Sequence, residues 1–313
     1  MLRRSVRFLS LATAAGLVAC APPASVRASA QEPPQVDSLG LLSDLAVLAH
    51  DSMEGRGAGT AGNLRARRFL ERRLEEVGAL PAGDGYGRDF AWPRGTGVNL
   101  LGWVPGLDPE AEVIVLTAHY DHEGIQGGQI YNGADDNASG SVALLEIARQ
   151  LLAAPPEHSV LVALLDVEEQ GSWGARALVE DPPVPLERVA LNVNLDMVSR
   201  TAGVLWAAGA YHTPSLRPVL EGVAERAPLT LRLGHDRPGA PEGDDWTDSS
   251  DHSAFHGVGV PFVYFGVEDH ADYHRPTDDV ERVDPGELVE SVRTILMALR
   301  ALDEALPLDD TAR

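Results

Sequence analysis

Three stretches of this chain place metal-type ligands directly after apolar runs. His119-Tyr120-Asp121-His122 follows Val113 to Ala118, Asp166-Val167-Glu168-Glu169 follows Val160 to Leu165, and Asp196 follows Val189 to Leu195. A small-residue loop, Gly133-Ala134-Asp135-Asp136-Asn137-Ala138-Ser139-Gly140, brings two further carboxylates to the start of a helical pattern. After the run ending at Phe265 comes Asp272-Tyr273-His274-Arg275-Pro276-Thr277-Asp278. Imidazole and carboxylate without thiolate is the donor set of catalytic zinc or a related divalent ion. Glu168 and Glu169 carry like charges side by side after a buried strand, which repel unless a positive charge offsets them. Asp135-Asp136 invites the same reading, with capping of a helix N-terminus as the competitor for one of the pair. His50, His158, His212, His235 and His256 lack ligand context and read as surface or packing residues, whereas His122, His252 and His270 stay open.

The elements that must position these groups follow from periodicity. Ala66, Leu70, Leu74 and Val77 recur at helical spacing before Gly78, so the first helix is expected over Asn63 to Val77. A short edge strand is expected near Phe90. Apolar runs then alternate with helical patterns: Val113 to Ala118, Ser141 to Leu152, Val160 to Leu165, a short helix near Ala175, and Val189 to Leu195. The alternation continues with Val204 to Ala208, a helix over Leu216 to Arg226, Leu229 to Leu233, and Val260 to Phe265. A last helix opens on Asp284-Pro285, with Glu287 as its capping-box acid, and carries Leu288, Val292, Leu296, Leu299 and Leu302 as its stripe. Such alternation predicts an α/β sheet, largely parallel, whose ligands lie past the carboxyl ends of the strands.

Composition removes several classes of function. The chain has 313 residues with 25 basic against 47 acidic, a net charge of -22, which disfavours nucleic acid and anionic lipid as partners. Every basic residue is arginine, so a Walker-type loop, a Schiff-base lysine and a serine-lysine pair are excluded. The single cysteine, Cys20, leaves no disulfide framework and no thiolate zinc site. Arg3, Arg4 and Arg7 precede an apolar stretch from Phe8 to Ala19 that is too short to span a bilayer. Residues 1–19 are therefore expected to be a signal peptide of an exported protein. Leu17-Val18-Ala19-Cys20 resembles the bacterial lipobox, which implies a lipidated Cys20 as the one membrane contact. Ala28-Ser29-Ala30 is the rival cleavage site. Residues 20–38 are expected to be a flexible tether and 39–313 one catalytic domain.

Together these motifs resemble the zinc-dependent exopeptidases of peptidase family M28, over about Gly55 to Asp284. The pieces are Gly55-Arg56-Gly57 with Gly59-Thr60, Ala118-His119-Tyr120-Asp121-His122, the Gly133 to Gly140 loop, Glu168-Glu169-Gln170-Gly171, Asn194-Leu195-Asp196-Met197, Ser250-Asp251-His252 and Asp272-Tyr273-His274-Arg275-Pro276. The resemblance implies a three-layer α/β/α sandwich with a mixed, mostly parallel central sheet. It implies two zinc ions, or cobalt or manganese in their place, bridged by Asp135, with His119 and Asp196 on one and Glu169 and His274 on the other. Glu168 would be the general base, taking a proton from the attacking water and returning it to the leaving amine. Asp121 would orient His119, Asp136 would stand behind the bridging position, and the Asp135–Asp136 peptide would be cis. Asp251 and His252 would lie by the substrate pocket, or else open a helix. Peptides are the implied substrates, with removal of N-terminal residues favoured over C-terminal ones. Glutaminyl cyclase chemistry on the same fold is the alternative, and a non-catalytic binding ectodomain the third reading. The chain departs from the family at Ser172-Trp173-Gly174-Ala175, where an apolar pair, glycine and serine are usual.

Overall fold

A computed structural model of the chain describes residues 35–241 and 244–308. The signal segment, Cys20 and the Ala28-Ser29-Ala30 site lie outside the described residues. Two helices come first, α1 (Ser38–Leu48) and α2 (Ala61–Val77). Four strands follow: β1 (Leu80–Pro81), β2 (Gly87–Trp92), β3 (Gly95–Val104) and β4 (Asp108–His119). A small hairpin, β5 (Gly124–Gln126) and β6 (Gln129–Tyr131), leads to α3 (Gly140–Ala153), β7 (His158–Leu165), α4 (Trp173–Glu180), β8 (Val189–Leu195) and β9 (Val204–Ala208). The chain ends in α5 (Leu216–Ala224), β10 (Thr230–Leu233), α6 (His252–Gly257), β11 (Phe262–Gly266) and α7 (Pro285–Ala305).

The main sheet runs β1-β3-β7-β4-β8-β11-β9-β10, with β2 paired to β3. Its centre is parallel: β4 pairs with β7 and β8, and β8 with β11. Antiparallel pairings lie toward the flanks, between β3 and β7 and between β9 and β11. Strand side chains alternate between faces, as a period of two requires. Ile114, Leu116 and Ala118 of β4 and Val160, Val162 and Leu164 of β7 join the core that holds the apolar stripes of α1, α2, α3, α5 and α7. Val113 and Val115, with Leu161, Ala163 and Leu165, turn to the opposite core, against α4 and Phe255 of α6. Helices on both faces make this the expected three-layer α/β/α sandwich. No helix among the described residues is long and apolar enough to cross a membrane.

Local signals explain most element boundaries. The Thr60 hydroxyl accepts from Asn63 N–H at the start of α2, and Gly78 at φ 90° closes it, a conformation glycine adopts without strain. Asp284 caps α7 as expected, but Glu287 does not close a capping box. Its carboxylate accepts instead from Thr201 Oγ1 at 2.9 Å and Ala202 N–H at 3.0 Å, tying α7 to the loop before β9. The first helix is α1 and not α2: Leu41, Leu45 and Leu48 give it a buried face, and Asp37 caps it by accepting from Gly40 N–H. Residues 35–38, counted above with the tether, are attached to α3. Asp37 N–H donates to Glu146 Oε1, and Gln150 donates to the Gln35 carbonyl.

One buried cation joins the loops under the sheet's carboxyl edge. Arg56, wholly inaccessible to solvent, donates to the carbonyls of Tyr120 at 2.8 Å, Leu48 at 3.1 Å and Gly133 at 2.9 Å, and to that of Asn132. Burial lowers its pKa to about 10 while Asp136, Asp121 and Asp278 support the charge, so it stays protonated at neutral pH. Arg56→Met would take this donor from the buried carbonyls of Leu48, Tyr120 and Asn132, while Gly133 keeps Ala138 N–H, and is expected to lower unfolding stability by about 3 kcal/mol or more. Arg65→Met, which breaks a half-exposed pair with Glu54, is expected to change it by less than about 1 kcal/mol. Denaturant midpoints of the two variants check this; similar midpoints would remove Arg56 from its structural role.

Candidate metal centre

Each of the three central strands ends at a ligand-type side chain. β4 ends on His119, β7 leads within a few residues to Glu168 and Glu169, and β8 is followed by Asp196. The backbone after these strands turns sharply, with left-handed conformations at residues that are not glycine: Val167 at φ 63°, Ser172 at 53°, Met197 at 56° and His274 at 52°. For a β-branched residue such as Val167 this conformation is strained. It persists because its neighbours are fixed: Asp166 accepts from Val98 N–H and from Asn63 Nδ2.

The carboxylate at the centre belongs to Asp136. Its Oδ1 lies 3.4 Å from His119 Nε2 and its Oδ2 3.0 Å from His274 Nε2. Asp196 Oδ1 is 3.3 Å from His119 Nε2, and Glu169 Oε2 is 3.4 Å from His274 Nε2. Donor atoms about 2.0 to 2.1 Å from a tetrahedral zinc lie about 3.3 to 3.4 Å from one another, which three of these separations match, while His274 and Asp136 stand closer, at hydrogen-bond distance. Asp135, expected to bridge, is turned away. Its Oδ1 accepts from Ser199 N–H at 2.8 Å, Ser199 Oγ at 2.7 Å and Ser139 Oγ at 3.2 Å, and its Oδ2 lies 3.2 Å from His270 Nε2. Asp278 sets this exchange of roles by accepting from both Asp135 and Asp136 N–H, which buckles the loop so that successive side chains face opposite ways. The cis peptide is Asp136–Asn137, one residue later than expected.

Asp121 connects ligand and base more than it orients the imidazole. His119 Nδ1 lies 3.2 Å from the Asp121 carbonyl oxygen and 3.7 Å from its carboxylate, which instead accepts from Glu168 N–H at 3.0 Å. Glu168 Oε1 is 3.3 Å from the Ser172 hydroxyl. His122, left open by the sequence, is fully buried with Nδ1 2.6 Å from Glu169 Oε1. Burial lowers its pKa to about 4, so it is neutral and holds one oxygen of Glu169 while the other faces His274. Asp251 and His252 do not line the cavity; their neighbours Trp246, Asp248, Ser249 and Ser253 do. Asp251 stands where α6 begins but makes no capping bond, and His252 Nε2 lies 2.8 Å from the Trp246 carbonyl.

The charges at this site call for a cation. Burial raises Glu168 and Glu169 well above the usual carboxylate range, with Asp251 and Asp196 adding to the first and Asp136 to the second. For His119 and His274 burial opposes a charge, but the carboxylates outweigh it, and His274 is pushed up to about 9. Both oxygens of Asp251 are buried without a partner, as is Asp121 Oδ2, and Asp251 rises to about 8 through burial. A divalent ion fits this excess of buried carboxylate, and the thiolate-free donor set fits zinc. Above it opens a cavity of about 590 Å³, lined also by Met197, Tyr264, Val267 and Tyr273. That volume is within the range of small-molecule sites.

Arg56, Asp278 and Ser199 are the supporting residues that residue-type reasoning passed over, and His122 is one it left open. Arg56 and Asp278 stood in quoted motifs, but nothing in their neighbours shows that one binds carbonyls and the other peptide N–H groups.

Comparison with known proteins places the chain. Residues 99–299 match the model of peptidase family M28. Aminopeptidase YwaD of Bacillus subtilis is 29% identical over 203 residues, covering 62% of this chain and 42% of that protein. The alkaline phosphatase isozyme conversion protein of Escherichia coli is 24% identical over 161 residues, 45% of this chain and 46% of that one. The chain thus spans less than half the length of these curated relatives. Among solved structures, a zinc aminopeptidase from Bacillus subtilis superposes with a TM-score of 0.68 at 17% identity, covering 86% of this chain and 96% of that one. A glutaminyl cyclase from Bacteroides thetaiotaomicron, bound to N-acetylhistamine, superposes at 0.67 with 21% identity, covering 85% and 98%. These likenesses carry the fold, while the family match extends over well over half of the sequence, and the chain belongs to peptidase family M28.

Proposed function

We propose that the protein is a zinc-dependent exopeptidase that removes N-terminal residues from peptides. The observation that carries this reading is the Asp136 carboxylate between the imidazoles of His119 and His274, with Asp196 and Glu169 completing two groups of donors. In this reading His119, Asp136 and Asp196 would hold one zinc ion, and Asp136, Glu169 and His274 a second. Zinc bound there supplies a Lewis acid and brings the pKa of water toward about 7. Glu168 is the general base: its backbone is fixed through Asp121, its carboxylate lines the cavity, and burial gives it a raised proton affinity. It takes the proton of the attacking water and passes it to the amine that leaves. The split between the two glutamates follows from their partners, since Glu169 is clamped by His122 whereas Glu168 meets only a serine hydroxyl at 3.3 Å.

The same reading places the protein outside the cytoplasm. What supports it is the order of Arg3, Arg4 and Arg7, the apolar stretch to Ala19, and the sole cysteine at position 20. YwaD is named as an aminopeptidase, and the same direction of cleavage is proposed here.

Glu168→Gln is expected to retain bound zinc and lose about a hundredfold or more in turnover. Asp136→Asn should lose metal as well, and more of it than Asp135→Asn. Metal analysis of the purified variants checks the order; equal loss in Glu168→Gln and Asp136→Asn would overturn the division of roles. For the wild type we expect two zinc ions per chain and hydrolysis of free-amine but not N-blocked aminoacyl amides. One zinc with ring closure of an N-terminal glutaminyl peptide would move the protein to cyclase chemistry. Cys20→Ser, expressed in a bacterium, is expected to shift the protein from the membrane to the soluble envelope fraction; an unchanged distribution would argue for cleavage after Ala30.

A further inference from the structure

The cavity over the metal centre is lined by seven carboxylates, Asp136, Glu168, Glu169 and Asp196 at its floor and Asp248, Glu268 and Asp269 around it. One arginine lines it, Arg176, and among the described residues its guanidinium makes no ion pair and no hydrogen bond. Some arginines of this acidic chain are paired with carboxylates, Arg200 with Asp272 at 2.6 Å and Arg149 with Glu146 at 2.8 Å. Arg176 rests instead over the ring of Trp173, 5.8 Å from its centroid.

We propose that Arg176 binds the free C-terminal carboxylate of short peptides, making the protein selective for di- and tripeptides. This rests on the exopeptidase reading above. Guanidinium offers a planar fork of donors that matches a carboxylate, and the indole beneath restricts its motion, so less freedom is lost on binding. The position fits. Arg176 N–H donates to the Ser172 carbonyl, one helical turn back, and the Ser172 hydroxyl is 3.3 Å from Glu168. Residues so spaced are about 5 to 6 Å apart at Cβ, and the arginine stem extends beyond that. The terminal carboxylate of a dipeptide lies one residue step, about 3.8 Å, past the scissile carbonyl, and that of a tripeptide about 7 Å past it. Away from the metal centre, a carboxylate entering this cavity meets Asp248, Glu268 and Asp269 on the walls and one guanidinium, that of Arg176. Longer or amidated peptides bring no charge there.

The test uses the full zinc-loaded chain with Leu-Ala, Leu-Ala-amide and leucine p-nitroanilide. The wild type should favour the free acid over its amide by about tenfold in kcat/KM, carried by KM, as a charge-assisted hydrogen bond at a rim gives. Arg176→Gln should bring that ratio to about one, Arg176→Lys should keep part of it, and salt should compress it in the wild type. Arg176 is exposed, so these variants should fold. Equal rates for acid and amide in the wild type, or an unchanged ratio in Arg176→Gln, would overturn the inference even though the anilide is cleaved. Failure to cleave all three would overturn the exopeptidase reading and this inference with it.

Discussion

Four carboxylates, the buried Asp136 and Asp196 and the half-buried Glu168 and Glu169, share one cavity floor, and their mutual repulsion is the constraint to which the surrounding structure answers. The imidazoles of His119 and His274 offset it directly, and a bound divalent cation would offset it further. The protein contributes a further positive charge from behind, the Arg56 guanidinium, which lies under the loops and holds their carbonyls. Asp121 and Asp278 spend their carboxylates on peptide N–H groups of the same loops, so acids that would add to the repulsion also fix the backbone that carries it. The strained turns at Val167, Met197 and His274 belong to the same arrangement, because only a backbone pinned on both sides keeps such conformations beside ligands.

How much of this was legible in the sequence depended on whether the signal was local. Strand ends followed by His119, Glu168 and Asp196 could be read because apolar runs and polar stops are consecutive, and the parallel centre of the sheet followed from the alternation. Asp284 before Pro285 announced the last helix for the same reason. The choice between Asp135 and Asp136 was not local. It is made by Asp278 and Ser199, 143 and 64 residues away, and no spacing within the loop distinguishes the two acids. Helix α1 was missed because its apolar face is short and crowded by neighbouring leucine and alanine, which blurs the period that makes α2 plain. Glu287 looked like half of a capping box until the β9 loop offered it better donors.

The acidic composition acquires a local meaning at the cavity. Asp248, Glu268 and Asp269 make the cavity walls hostile to anions, and an exopeptidase of the kind proposed, whose substrates and products carry terminal carboxylates, would work against that field. Arg176 over the Trp173 ring, in the proposed role, would answer the difficulty without neutralising the floor.

The bond between Asp278 and the Asp135–Asp136 loop also sets an order of events. Its partners are among the most widely separated of any that shape the site, and the segment carrying Asp278 also carries His274. Contacts that close so long a stretch of chain form late, after local helices and hairpins. The loop that carries the central carboxylate therefore has its Asp278 bonds only when the last quarter of the chain has docked. A partly emerged or truncated chain, however well its early strands pair, would lack those bonds and His274 with them, so ion uptake would report on completed folding.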